Sequence, residues 1–170
     1  MNTFKTIFEG KVLVLGKNID TGQIFPGRFL EITNTREIGK LCLYGVDPDI
    51  AGNFPKGGII VAGSNFGCGS SREHAAIALI EMGAGLVIAE SFARIFFRNA
   101  INLGLPLVSA AGISEKLKTG DEIAIDLNKG KITIIKNSEI ISFPPLSEHA
   151  MSILSAGGIK PLMRKKTGIE

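Results

Sequence analysis

Residues 59–82 read Ile-Ile-Val-Ala-Gly-Ser-Asn-Phe-Gly-Cys-Gly-Ser-Ser-Arg-Glu-His-Ala-Ala-Ile-Ala-Leu-Ile-Glu-Met, and they decide the fold. Ile59–Ala62 is a continuous apolar run suited to a strand buried on both faces. From Ser71 to Met82 the apolar residues Ala75, Ala78, Leu79 and Met82 recur at helical spacing, and a glycine-rich turn joins the two elements. The same grammar follows downstream, with Leu86–Ala89 as strand, Phe92–Leu103 as helix ending before Gly104, and Leu105–Ser109 as strand. Two strand-to-helix units in succession imply a parallel core.

Outward from that core the pattern changes. Glu122–Leu127, Lys131–Lys136 and Glu139–Phe143 alternate apolar and polar residues, with turns at Asn128-Lys129-Gly130 and Asn137-Ser138. They predict an antiparallel meander, so the sheet is mixed or split in two. Towards the N-terminus, Phe4–Phe8 and Val12–Leu15 read as two short strands turning at Glu9-Gly10, followed by a polar loop, Gly16–Gly22, that can wall a site. Thr35 begins a short helix through Ile38, Leu41 and Cys42, and residues 44–58 are expected to be irregular. Ser147 is placed to cap a last helix stopping at Gly157-Gly158, ahead of a polar basic tail.

The 170 residues are 45% hydrophobic and 21% charged, enough for one cooperative core and too few for two comfortable domains. One domain is expected, folded over about residues 4–160. Lys and Arg exceed Asp and Glu by 19 to 16, and apart from Arg164-Lys165-Lys166 the excess is dispersed, which argues against a nucleic-acid surface. Cys42 and Cys68 form no Cys-x-x-Cys pair, so no disulfide framework, cluster or zinc site is readable. Met1–Gly10 carries no secretory core, and no run approaches the roughly 20 apolar residues of a membrane span. The reading is a cytoplasmic protein with no membrane contact.

The chemistry concentrates in Gly63–His74, between a buried strand and a helix start, where α/β folds bind ligands. Gly67 and Gly69 permit close backbone approach, a helix N-terminus favours an anion, and Arg72 can grip a carboxylate in two places. A plainer reading competes, because Ser70 followed by Glu73 three residues later is also a capping box. The nucleotide motifs fit worse: Gly67-x-Gly69-x-x-Arg72 lacks a third glycine, and no Gly-Lys-Ser/Thr follows.

Gly-Ser-Asn-Phe-Gly-Cys-Gly-Ser-Ser-Arg-Glu-His-Ala, residues 63–75, strongly resembles the signature of the swivelling domain of the aconitase family. Asn18-Ile19-Asp20-Thr21 with Ile24, Pro26 and Phe29-Leu30 resembles that family's upstream motif, and Ser91–Phe96 through Arg98-Asn99 its downstream one. The resemblance spans about residues 11–160 and implies a three-layer β/β/α swivelling domain with a mixed sheet. A chain this short looks like the separate small subunit of a two-subunit hydro-lyase.

In that family the first serine of Ser-Ser-Arg removes a proton beside a carboxylate, while the second serine and the arginine bind substrate. The resemblance therefore implies Ser70 as base, with Ser71 and Arg72 holding substrate. It also implies that a 4Fe–4S cluster, Lewis acid for the departing hydroxyl, sits on a large subunit, and that this chain carries no cofactor or metal. Asp20, Thr21, Gly67, Gly69 and His74 are expected at the rim or in support. Asp20 and Thr21 read equally as loop formers, and Cys68 and His74 read as structural. Arg94 and Arg98, four apart on one helix face, fit support of the site or a partner interface.

Glu31-Ile32-Thr33 falls where related enzymes sort substrates, and two departures stand out. The upstream motif commonly has an acid where this chain has Gly22, and homoaconitase-like subunits tend to carry an arginine in the sorting segment. An acid and an apolar side chain disfavour a tricarboxylate. The expected substrate is an alkyl-substituted malate, 3-isopropylmalate first, in leucine biosynthesis, then citramalate or dimethylmalate. A homoaconitase subunit is the enzymatic rival, and a stand-alone anion-binding or regulatory module the rival of another kind.

Overall fold

The computed structural model describes residues 4–168; Met1–Thr3 and Ile169–Glu170, which open the expected N-terminal segment and close the expected basic tail, lie outside the described residues. Seven strands form one mixed sheet. They are β1 (Ile7–Val14), β2 (Gly58–Ala62), β3 (Ala84–Ala89), β4 (Leu107–Ser109), β5 (Glu122–Asp126), β6 (Lys131–Ile134) and β7 (Glu139–Ser142), in the order β4-β3-β2-β1-β5-β6-β7. The helices are α1 (Thr21–Ile24), α2 (Thr35–Lys40), α3 (Ile50–Asn53), α4 (His74–Met82), α5 (Arg94–Leu103), α6 (Ile113–Lys116), α7 (Glu148–Ser155) and α8 (Ile159–Thr167), with one 3-10 turn at Gly27–Phe29.

The two-residue period of a strand explains the layers. Ile60 and Ala62 of β2, and Val87 and Ala89 of β3, point into a core shared with Ile38, Ala75, Ala78, Leu79, Phe96, Ala100 and Leu154 of the helices. Their neighbours Ile59, Val61, Leu86 and Ile88 point the other way, into a second core with Ile123, Ile125, Ile132 and Ile134 of the meander. The parallel strands are thus buried on both faces, and the layers run meander, parallel sheet, helices. This is the β/β/α arrangement expected.

The N-terminal hairpin is not formed. Ile7–Lys11 pair antiparallel with β5, while Val12–Val14 pair parallel with β2. One continuous strand has to serve both halves of the sheet, so Gly10 lies within it instead of at a turn. The basic tail differs too: α8 follows α7 directly. Ile159 and Leu162 pack on the helix-side core while Arg164, Lys165 and Lys166 face solvent, an amphipathic helix hidden among its charges. The stretch 44–58 expected to be irregular is so except for the single turn of α3 and for Gly58, which opens β2. Ser147 caps α7 as expected, its hydroxyl accepting from Ala150 N–H at 3.1 Å.

Candidate functional site

The loop from Gly63 to Glu73 leaves the carboxyl end of β2 and is clamped from both sides. On one side Gly67 N–H donates to Ile19 C=O at 2.8 Å, and Thr21 N–H to Cys68 C=O at 2.8 Å, which makes Asp20 and Cys68 bridge partners. On the other, Phe66 N–H donates to Ser91 C=O at 3.0 Å and Ala93 N–H to Phe66 C=O at 3.0 Å, bridging Phe66 to Phe92. The three resembling segments, separated in sequence by residues 31–62 and 76–90, meet here.

Phe66 anchors the loop. Its ring is fully buried and meets Phe92 at 6.0 Å and Phe96 at 5.4 Å between centroids, both edge-on. Gly67 then turns at φ +80°, and a Cβ there would lie 2.2 Å from Phe96 Cγ. Only glycine lets the chain pass over that ring and bring Ser70 to the surface.

Ser70 is exposed, and its Oγ lies 3.2 Å from Oγ1 of Thr21, which is only 6% exposed. Thr21 is the first residue of α1, whose capping box is complete: Asp20 accepts from Gln23 N–H at 2.7 Å, and Gln23 Oε1 accepts from Asp20 N–H at 3.0 Å. Asp20 is therefore occupied in fixing Thr21, and Thr21 contacts Ser70. The sequence left these two residues open between rim and loop, and the geometry ties Thr21 to the serine.

The expected capping box at Ser70 is absent. Helix α4 starts at His74 instead of Ser71, with Glu73 as its cap residue and no side-chain cap bond. The reason is local: Ser70 faces Thr21 from the upstream loop, and its carbonyl accepts from Arg72 N–H at 2.9 Å in a tight bend that helical backbone does not make. Ser70 thus stands four residues ahead of the helix it was expected to cap.

Ser71 and Arg72 are exposed beside it. Arg72 reaches towards the upstream segment, its Nη1 3.5 Å from the position a Cβ on Gly27 would take. A Cβ on Gly69 would stand 3.1 Å from Thr21 Oγ1. His74 is half-buried with its ring parallel to Phe25, 6.0 Å between centroids, which is a packing role. In the sorting segment Glu31 and Thr33 are exposed and Ile32 packs partly on the helix-side core. Just upstream, Arg28 stacks over the rings of Phe29 and Tyr44, at 4.8 and 5.1 Å.

A cleft of about 400 Å³ opens beside Ser70, lined by Gly67, Gly69, Ala93, Arg94, Ile95, Phe96 and Arg98. Spacing alone placed Arg94 and Arg98 in support; the cleft makes them walls around the serine, and only their shared helix face hinted at it. A second cleft of about 390 Å³, between β1 and residues 47–55, lies apart from the serine.

No three His, Cys, Asp or Glu side chains among the described residues converge to hold a metal. Cys42 is buried in the helix-side core, and burial pushes its thiol far above the usual range, so it stays protonated. Cys68 stands alone in the loop. Neither offers a ligand set for an iron–sulfur cluster.

The aconitase C-terminal domain family matches residues 48–112. The isopropylmalate/citramalate isomerase small subunit of Methanocaldococcus jannaschii is 48% identical over 95% of this chain and 96% of its own length. The 3-isopropylmalate dehydratase small subunit of Moorella thermoacetica is 44% identical over 94% of this chain and 96% of its own. Among solved structures, the 3-isopropylmalate dehydratase of Methanocaldococcus jannaschii superposes with a TM-score of 0.91 at 40% identity, covering 96% of both chains.

Proposed function

The chain belongs to the 3-isopropylmalate dehydratase small-subunit family, and from that premise we propose that it is the small subunit of a hydro-lyase isomerising 3-isopropylmalate in leucine biosynthesis, with Ser70 as the base. The relatives' names speak for an enzyme subunit and lend nothing to a stand-alone anion-binding module. One observation carries the residue assignment: the three segments converge so that Ser70 Oγ stands exposed at an open cleft with a single hydroxyl neighbour, Thr21 Oγ1, at 3.2 Å.

The step given to Ser70 is transfer of a proton from the carbon beside a substrate carboxylate to Oγ in its alkoxide form, while the C–H electron pair becomes the new C=C bond and the hydroxyl leaves the adjacent carbon with its bonding pair, departing as water once protonated. Re-addition of water with the opposite regiochemistry, the serine returning its proton to carbon, completes the isomerisation. A serine hydroxyl is a feeble base, so the oxygen has to be held as an alkoxide by nearby donors before the proton moves. Thr21 is placed to donate to it, and Arg72 to hold a carboxylate nearby with Ser71. This chain fits no cluster, so we place the 4Fe–4S group on the large subunit. Both cysteines are free thiols, as in a reducing compartment, and we assign the complex to the cytoplasm.

The exposed acid Glu31 with Ile32 beside it favours a substrate whose third substituent is alkyl over one bearing a third carboxylate. Ser70→Ala in the reconstituted complex tests the reading. The substitution removes one hydrogen bond and no helix cap, so the isolated chain should lose at most about 1 kcal/mol. kcat should fall at least about a hundredfold with large-subunit affinity intact. Near-normal turnover would end the assignment of Ser70 as base.

A further inference from the structure

We infer that Arg94 and Arg98 form a second carboxylate grip for the substrate, on a different wall of the site from Arg72; this rests on the reading of Ser70 as base. Three observations meet. Both guanidinium-bearing residues line the cleft into which Ser70 opens, and Arg72 is not among that cleft's walls. Neither is satisfied among the described residues: the ion pairs there are Lys116–Glu139, Lys129–Asp126 and Lys136–Asp121, and no side-chain hydrogen bond between described residues involves either arginine. Their placement is also unfavourable on its own terms. They repel as like charges at i and i+4 on one face, and Arg94 is the first residue of α5, at the positive end of a helix with no acid in its first turn.

An anion between the two arginines relieves both costs, and a dicarboxylic acid has a second carboxylate to supply. Arg72 turns towards Gly27 while Arg94 and Arg98 stand on α5, so Ser70 sits on the loop between the two cationic walls. One carboxylate at each wall brings the intervening carbons to the serine oxygen. Ile95, 54% exposed on the same wall, adds an apolar surface that an alkyl substituent can cover. The rival occupant is an acidic segment of the large subunit. The concavity favours the small acid, because a cleft of about 400 Å³ lined by these side chains and Ser70 has room for one.

The experiment uses the complex with its large subunit and three probes: 2-isopropylsuccinate, which lacks the hydroxyl and cannot react, and its two half-amides, each masking one carboxylate. Binding to the wild-type complex, Arg94→Met, Arg98→Met and Arg72→Met is measured by calorimetry, alongside KM for 3-isopropylmalate at saturating large subunit. Loss of a charge-assisted grip should weaken the diacid, and raise KM, at least about tenfold in each variant. For one half-amide the Arg94 and Arg98 substitutions should make no further difference; for the other, Arg72→Met should make none. Arg98→Lys should recover part of the loss.

If Arg94→Met and Arg98→Met weaken all three probes equally, or leave them unchanged while large-subunit affinity drops, the wall is a docking surface and the proposal fails. Binding without turnover separates this from the base assignment. A Ser70→Ala complex that still reacts would sink the serine, while the half-amide pattern would still judge the arginines.

Discussion

Gly67→Ala probes how tightly the loop sets the serine. The new Cβ would meet Phe96 at 2.2 Å to Cγ, 2.5 Å to Cδ1 and 2.6 Å to Cβ. Phe96 cannot retreat, because it is 3% exposed and wedged by Phe66 at 5.4 Å and Phe92 at 6.4 Å. Overpacking of this kind costs about 1–3 kcal/mol, and an L-residue at φ +80° adds about 1–2 kcal/mol. The sum, roughly 2–5 kcal/mol, corresponds to a Tm lower by about 5–20 °C in a domain of this size. Gly112→Ala is the control: its φ is +69° with nothing within 4 Å of the added carbon, so only the backbone cost applies. Thermal unfolding of the isolated chains and kcat of the complexes are measured together. Gly67→Ala should melt well below Gly112→Ala, and it alone should lose turnover, since relieving the clash moves the loop that carries Ser70. Equal melting temperatures would refute the packing argument, and full turnover in Gly67→Ala would refute the claim that this glycine positions the serine.

Glu31→Arg should shift the kcat/KM ratio of homoaconitate to 3-isopropylmalate by tenfold or more towards the tricarboxylate, because opposite charges within about 4 Å in a partly dry site are worth more than a kcal/mol. An unchanged ratio means that Glu31 only solvates its loop. Acid stability is the other handle. The Lys136 ammonium, with Lys118 N–H, holds Asp121 below its ordinary value, and Lys116 does the same for Glu139. A lowered folded value means the unfolded chain takes up protons first, so this stabilisation is present above the ordinary carboxylate range of about 4 and fades as pH falls through the lower folded values. Lys136→Met should therefore flatten the acid limb of a urea-midpoint titration and leave turnover unchanged; superimposable limbs would show that the pair contributes nothing.

The helical and strand periods of Ile59–Met82 and Leu86–Ser109 revealed the parallel core because those segments are long, apolar and bounded by glycines. The meander was equally legible from its alternation. What escaped the pattern were features decided by distant partners. Glu9-Gly10 has the composition of a turn, yet β1 runs through it, because β2 claims one half of the strand and β5 the other. Ser70 and Glu73 have the spacing of a capping box, but a cap forms only if the serine is free, and Thr21, 49 positions upstream, faces it. Helix α8 was hidden because Ile159 and Leu162 are too sparse among lysines and arginines to register as a stripe. The motif residues were readable; that Thr21 touches the serine and that Arg94 and Arg98 wall its cleft were not, since neither follows from spacing within one segment.

On the proposed reading of Ser70 as base, these long-range contacts fit a division of labour between subunits. A base that must carry negative charge needs a fixed position and few, well-aimed donors in a dry site. The loop supplies the position, with backbone bridges to residues 18–21 on one side and 91–93 on the other, and Phe66 pinning its middle. Thr21 Oγ1, 3.2 Å from Ser70 Oγ, can supply one donor. Dryness is what the chain does not supply: Ser70, Ser71 and Arg72 are all exposed, and the cleft beside Ser70 opens to solvent. In water the serine oxygen would be solvated and its proton affinity unremarkable, and the arginine charges would be screened within about 10 Å. A second protein surface closing over the cleft would remove that water, strengthen every interaction already aimed at the substrate, and leave the loop where it stands. If Ser70 is the base, the small subunit would contribute a prepositioned but dormant constellation, and a large subunit closing over it would activate it by exclusion of solvent.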